Sequence, residues 1–493
     1  MGQAMRFLAQ VLAFVYCTIF ITHLGFAEEV QDVERVLEHP NAPHLIYINY
    51  DGNLLHPKGQ KTIAREDEQA YIDNMIQNFN QRYETKALKL VVFIHGGLNA
   101  MKGANERPDK FRELMLAEGY YPVFIGWNSG PWTNYSDHLF KVRKGNVAPA
   151  KAIITSPLYF LEDLTRSVLT APSAYSREIR KRSSVKKLEN AEMKDAYPYL
   201  VEELAESGFN IYTPDISPSL PSPDPLFPFK LVGKSISAPL VNGLGKGAWN
   251  SMLRRTDLIF TRPYSEAELL ADKLAAARAP SKQQRNLAAQ NFDTAAAKFF
   301  KTRMQQNSNV EIIVIGHSMG TLVANQIINR YPNLNIKHLV YMGAAAPMRD
   351  IENIVSPWLY AHPERQFYSL SLHPQNEIAE KVGYDLAPKG SLLNWIDHTF
   401  ADIHSVKDRT SGSWGNMLML ADDVFLADYG LRQRVHLSKF NIQTNKAINV
   451  GPQKHGEFND YPFWREEYWK GNPILLKPVQ AIDQKNKPHS TQE

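Results

Sequence analysis

The chain has 493 residues, 44% of them hydrophobic and 22% charged, enough to bury at least one large core. That composition excludes a disordered or collagen-like chain, and a single cysteine excludes a disulfide-stapled one. The formal charge of +4 falls far short of a dedicated nucleic-acid binder, so no nucleic-acid partner is expected.

Arg6 is followed by an uncharged run from Phe7 to Phe26, and Gly25-Phe26-Ala27 precedes Glu28-Glu29. This reads as a secretory signal peptide over 1–27, with export to a periplasm or the outside. The run is also long enough for an uncleaved signal anchor that would tether the chain to a membrane. Cys17 lies inside it, so the mature chain would carry no cysteine, which suits an oxidising compartment. No other stretch approaches transmembrane length, and the body is expected to be soluble.

Strand-like and helix-like segments then alternate, the pattern of an α/β fold with a mostly parallel sheet. An extended segment at 42–50 runs into the turn signal Asp51-Gly52, and a charged amphipathic stretch at 65–83 reads as a helix. The segment 88–95 is a buried strand ending in Gly96-Gly97; a helix opened by Pro108 reaches Glu118, and 121–127 is the next strand. From 131 to 264 the alternation breaks, and basic clusters, a Pro-Ser run and Gly243-Leu-Gly245-Lys-Gly247 replace it. A structureless stretch of that length is improbable in a compact domain, so a largely helical insertion with one extended segment at 209–214 is expected. The glycine run lacks the preceding strand and later acidic residue of a dinucleotide site and reads as a loop or helix break. An Ala-rich helical stretch at 265–306, interrupted near Pro280, restores the alternation. Strands at 310–315, 336–342, 365–372 and 434–442 follow, with a helix at 321–331 stopped by Pro332. The expected division is thus 28–130 and 265–480 as two parts of one core, 131–264 as a cap, and a disordered tail at 481–493.

Chemistry concentrates at Gly316-His317-Ser318-Met319-Gly320. A Gly-x-Ser-x-Gly pentapeptide arises by chance in about one chain in six, so the motif alone decides little. Its context decides more, because it joins a buried strand to a helix. A serine on such a sharp turn needs small residues two before and two after it, and the helix N-terminus favours developing negative charge beside it.

Together with His95-Gly96-Gly97 and a late histidine loop, this segment resembles the α/β-hydrolase superfamily, in particular its lipase- and esterase-like members, over roughly 88–127 and 311–464. The resemblance implies an α/β-hydrolase fold with helices on both faces of the sheet and a helical lid. It implies a Ser-acid-His triad in that chain order, with Ser318 as nucleophile. His455 lies in the loop past the last strand and takes the role of base, His436 and His489 being set aside as a strand residue and a tail residue. Glu377 is the first choice for the acid, Asp385 the runner-up, and Glu380 reads as a solvated helix residue. Oxyanion donors would be the N–H of Gly97 or Leu98 and that of Met319. No cofactor is implied. No metal is expected either, since the cluster Asp397, His398, Asp402 and His404 matches no metal-site spacing.

The implied activity is an exported serine hydrolase cleaving carboxylic esters, lipid esters foremost, through an acyl-enzyme. An acyltransferase, thioesterase or peptidase with the same residues stays open, as does a non-catalytic envelope protein binding a lipid or protein partner. Basic residues flanking apolar segments in the first insertion suggest peripheral contact with a membrane, against the plainer reading of a solvated face. The sequence does not define an oligomeric state.

Overall fold

The computed structural model describes residues 30–31, 36–57, 61–86, 88–97, 101–188, 198–214, 227–263, 291–306, 309–381, 387–443 and 450–470. Its main sheet has eight strands: β1 (Leu45–Ile48), β2 (Lys89–Ile94), β3 (Tyr120–Trp127), β4 (Asn210–Tyr212), β5 (Ile312–His317), β6 (Ile336–Met342), β7 (Gln366–Ser371) and β8 (Val435–Lys439). They lie in the order β1-β3-β2-β5-β6-β7-β8-β4, every neighbouring pair parallel. A parallel sheet is covered on both faces, which is why its strands read as continuous apolar runs rather than alternating ones. In β5, Ile312 and Val314 enter one core with Val92, Val323 and Ile327, while Ile313 and Ile315 enter the other with Phe93, Val340 and Tyr368. The α/β-hydrolase fold expected from the resemblance is the fold observed.

The helices are α1 (Glu68–Thr85), α2 (Met101–Ala117), α3 (Pro131–Phe140), α4 (Pro149–Leu188), α5 (Pro198–Glu206), α6 (Phe227–Asp257), α7 (Ala295–Gln305), α8 (Gly320–Arg330), α9 (Ser356–Ala361), α10 (Pro374–Ala379) and α11 (Trp414–Val424), with shorter turns between. Three features differ from the sequence reading. Helix α2 begins at Met101 with Pro108 inside it, not at its start. The extended segment near residue 210 is no isolated excursion, because β4 extends the main sheet beyond β8. Gly243, Gly245 and Gly247 form neither a loop nor a break; they lie within α6. A Cβ on Gly243 would collide with Ser167 of α4, one on Gly245 with Phe400, and one on Gly247 with the His138 ring of α3. Here glycine is spent on close helix packing. The buried Arg255 guanidinium of α6 also pairs with Asp137 of α3, so neither charge is left alone in the interior.

The chain after β8 runs back beneath the sheet. Phe463, Trp464, Tyr468 and Trp469 are buried in the second core, each gaining about 1.5–3 kcal/mol by leaving water. Trp464 Nε1 donates to Glu118 at 2.8 Å, and Lys89 bonds Glu466, which ties this segment to β2 and to the turn after α2. The loop carrying His455 is anchored by that packing.

Candidate active site

At the end of β5 the chain turns sharply through Ser318 into α8. Ser318 has φ of 53°, and the only other non-glycine residue with positive φ among the described ones is Lys144. This backbone costs roughly 1–3 kcal/mol and persists only where surrounding structure imposes it. Here it does: the Ser318 N–H donates to Met342 O at 2.9 Å, and its carbonyl accepts from Ala345 N at 3.0 Å and Thr321 Oγ1 at 2.7 Å. The flanking glycines are required by contact. A Cβ on Gly316 would lie 2.9 Å from Thr321 Cα, and one on Gly320 would lie 2.9 Å from the His95 carbonyl oxygen. Ser318 is buried and its Oγ has no hydrogen-bond partner.

The His95-Gly96-Gly97 turn follows β2 and lies directly over this corner. A Cβ on Gly96 would sit 2.7 Å from Ser318 Cβ, and one on Gly97 would sit 2.6 Å from Met319 Sδ. His95 is structural. Its ring stacks on Trp127 with centroids 4.4 Å apart, and Nε2 accepts the Trp127 N–H at 2.9 Å. Burial holds its pKa down at about 3, so the ring is neutral. Gly97 thus packs against the Met319 side chain beside Ser318; Leu98 lies outside the described residues.

His455 opens a short 3-10 turn, His455–Asp460, past β8. Its ring rests on Gly343, where an added Cβ would be 3.0 Å from Cε1 and 3.1 Å from Nδ1. Gly343 lies between Met342 and Ala345, the two residues that hold the Ser318 backbone, so β6 brings His455 to the nucleophile's corner. Both ring nitrogens are buried without a partner, and burial lowers the pKa to about 4. The imidazole is neutral at pH 7, the form that accepts a proton.

The sequence reading passed over His317, the residue before the serine. Its Nε2 donates to the His455 carbonyl at 2.8 Å, while Nδ1 accepts from Asn459 Nδ2 at 3.1 Å. The nucleophile turn therefore grips the histidine loop. Burial first, and the nearby His455 second, push the His317 pKa well below its ordinary value, so it works as a neutral clamp.

Glu377 lies on α10, just past β7, and is buried. Burial, the nearby Asp397 charge and Glu380 hold its carboxyl well above the ordinary range, against a hydrogen bond from Ser413. Its Oε1 has no partner, and neither does the His455 ring, so the two are not bonded to each other. Their elements are nonetheless joined. Glu380 Oε2 accepts the His455 N–H at 3.0 Å, and Asn376 Nδ2 donates to Gln453 Oε1 at 3.0 Å. The solvated role expected for Glu380 is thus corrected: burial raises its pKa, and it binds the histidine loop. Asp385 lies outside the described residues.

Metal-ligating side chains gather elsewhere. Glu311, His338 and Glu466 bring ligand atoms within 4.8 Å of one another near the start of β5, at the far end from Ser318. The Lys89 ammonium already bridges both carboxylates there, 2.9 Å from Glu311, and supplies the positive charge an ion would bring. In the Asp- and His-rich segment, Asp397 accepts from Thr410 N at 2.8 Å and Asn416 Nδ2 at 2.7 Å, and Asp402 pairs with Lys246. These carboxylates hold loops and helices together.

The family described as alpha/beta hydrolase fold matches residues 190–378. The match takes in β5, the Ser318 turn and Glu377, and stops before His455. It also runs through 190–310, a stretch to which the sequence resemblance assigned nothing. No curated protein and no solved structure matches the chain.

Proposed function

From the premise that this chain belongs to the α/β-hydrolase superfamily, which supports hydrolase activity, we propose that it is a serine hydrolase acting on carboxylic esters. The observation that carries this reading is the corner itself. A serine in strained backbone, its hydroxyl unpartnered, lies under a glycine turn, and the strand beside it carries Gly343, on which rests a neutral histidine whose ring nitrogens are both without a hydrogen-bond partner. Unpaired buried polar groups cost about 1–3 kcal/mol each, and a reacting substrate would give them partners.

In this reading His455 takes the Ser318 proton as Oγ attacks the ester carbonyl. The N–H groups of Gly97 or Leu98 and of Met319 receive the negative oxygen, and His455 returns the proton to the departing alcohol. Water activated by His455 then releases the acid. Glu377 is the proposed partner of the imidazolium that forms in each step. Lipid esters are the proposed substrates and an exported location the proposed setting, both resting on the apolar leader run and the apolar helical surface described below.

The test is turnover of a short-chain p-nitrophenyl ester. Ser318→Ala should lower kcat by at least about 10⁴-fold with circular dichroism unchanged. Equal rates in the two proteins would contradict the mechanism. The unbonded His455 ring favours one second reading, a protein that keeps the fold to bind a ligand without turnover; no hydrolysis of any ester by the folded wild type would select it.

A further inference from the structure

The surface of α4 is inverted for a helix facing water. One face is buried through Ala152, Ser156, Asp163, Ser167 and Ala174, where α6 crosses it at Gly243. The opposite face carries Ile154, Leu158, Leu161, Val168, Leu169 and Ile179, and it is open. Ile154 is 80% exposed, Leu169 74% and Val168 71%. Ile154, Leu158, Leu161 and Val168 recur four, three and seven residues apart, with Leu169 next to Val168 and Ile179 eleven residues beyond Val168, so all six fall on one side of the helix over about 38 Å at 1.5 Å per residue. An ordinary surface helix turns charge outward. Among the exposed positions of 150–180, only Lys151, Glu162 and Arg180 are charged.

Basic residues are concentrated in the sequence toward the C-terminal end of the helix. The helix sequence holds eight Lys and Arg against three Asp and Glu, with Arg180, Lys181, Arg182, Lys186 and Lys187 closing it. We infer that α4 is a membrane-docking surface, its apolar stripe lying in the interface of an anionic bilayer and its basic residues meeting the headgroups. Three observations select that occupant. The stripe is the open face of a single helix, which suits a broad soft surface. A second copy of the chain would set like charges against each other, whereas anionic headgroups complement them. The uncharged Phe7 to Phe26 run, read above as a leader or anchor, agrees with a membrane setting.

Docking would also bring substrate near the site. Helix α4 packs against α10, which carries Glu377, and Glu178 of α4 accepts from Lys389 N at 3.1 Å in the loop beyond it. The inference goes beyond the hydrolase reading and is tested without turnover, so the two fail separately.

The experiment uses the full chain with Cys17→Ser and an environment-sensitive dye on Leu158→Cys, with Glu84→Cys on α1 as the control site. On adding phosphatidylglycerol-containing vesicles, the dye at 158 should shift to the blue. A lipid-borne quencher should quench it at least about fivefold more strongly than the dye at 84, because only an interfacial residue reaches the acyl boundary. Pure phosphatidylcholine vesicles, or high salt with the anionic ones, should weaken both signals. A retained leader segment would hold both dyes near vesicles without burying position 158, so it cannot imitate this result. No shift at 158, an equal response at 84, or an equal response to neutral vesicles would overturn the inference. So would a shift that needs no lipid and follows protein concentration, which would mark a contact between copies.

Discussion

The nucleophile corner and the acid corner lie at the ends of β5 and β7, with β6 between them, and are built in opposite ways. At Ser318 every backbone group is held, and the glycines before and after it leave no room for a Cβ. At Glu377 the carboxyl is buried beside Asp397 and bonded to Ser413, and its neighbours Glu380 and Asn376 join its helix to the His455 loop, at His455 N–H and at Gln453. One corner is preorganised by backbone; the other presents side chains that still have to find one another. The difference teaches that the strained turn and the His455 loop are fixed by the fold, whereas the proposed acid would have to reach His455 by a side-chain rearrangement.

The comparison breaks most sharply at Glu377. If its carboxylate turns to His455 during the reaction, Glu377→Gln should lower kcat by about 10⁴-fold, the loss expected when the group orienting a catalytic histidine becomes an amide. The melting temperature should hold or rise, because the amide carries none of the penalty of charging a buried carboxyl. An unchanged kcat would move the acid role to Asp385 or remove it.

A smaller effect sharpens the other side. Rate depends on neutral His455, so kcat/KM should be flat near neutrality and fall as pH drops through about 4, the value to which burial lowers this histidine. The sign for stability is the same. The unfolded chain binds this proton from its ordinary value of 6.5 downward and the folded chain only near 4, so the contribution is whole above 6.5 and lost across that window. An acid limb near 6.5 in kcat/KM would mean that a carboxylate already partners His455 in the free enzyme.

How much was legible in the sequence follows from the range of each contact. The strands were visible because burial on both faces leaves uninterrupted apolar runs, and the Ser318 turn because its needs lie within five residues. Glu380 and His317 were not, since their partner His455 lies 75 and 138 residues away. The glycines of α6 misled for a related reason. Alternate glycines look like a break locally, and only the approach of Ser167, Phe400 and His138 shows them to be packing positions. His455 could be placed in its loop by chain order, yet its unpaired nitrogens depend on groups from separate strands.

The central claim is that Ser318 is an activated nucleophile, and covalent labelling tests it most directly. The folded protein would be treated with a fluorophosphonate probe and the modified peptide located by mass spectrometry, beside Ser318→Ala and His455→Ala. The account predicts label on Ser318 in the wild type, none in Ser318→Ala, and a strongly slowed reaction in His455→Ala. A wild type that stays unlabelled while folded, with and without detergent, or a label that survives Ser318→Ala, would contradict it.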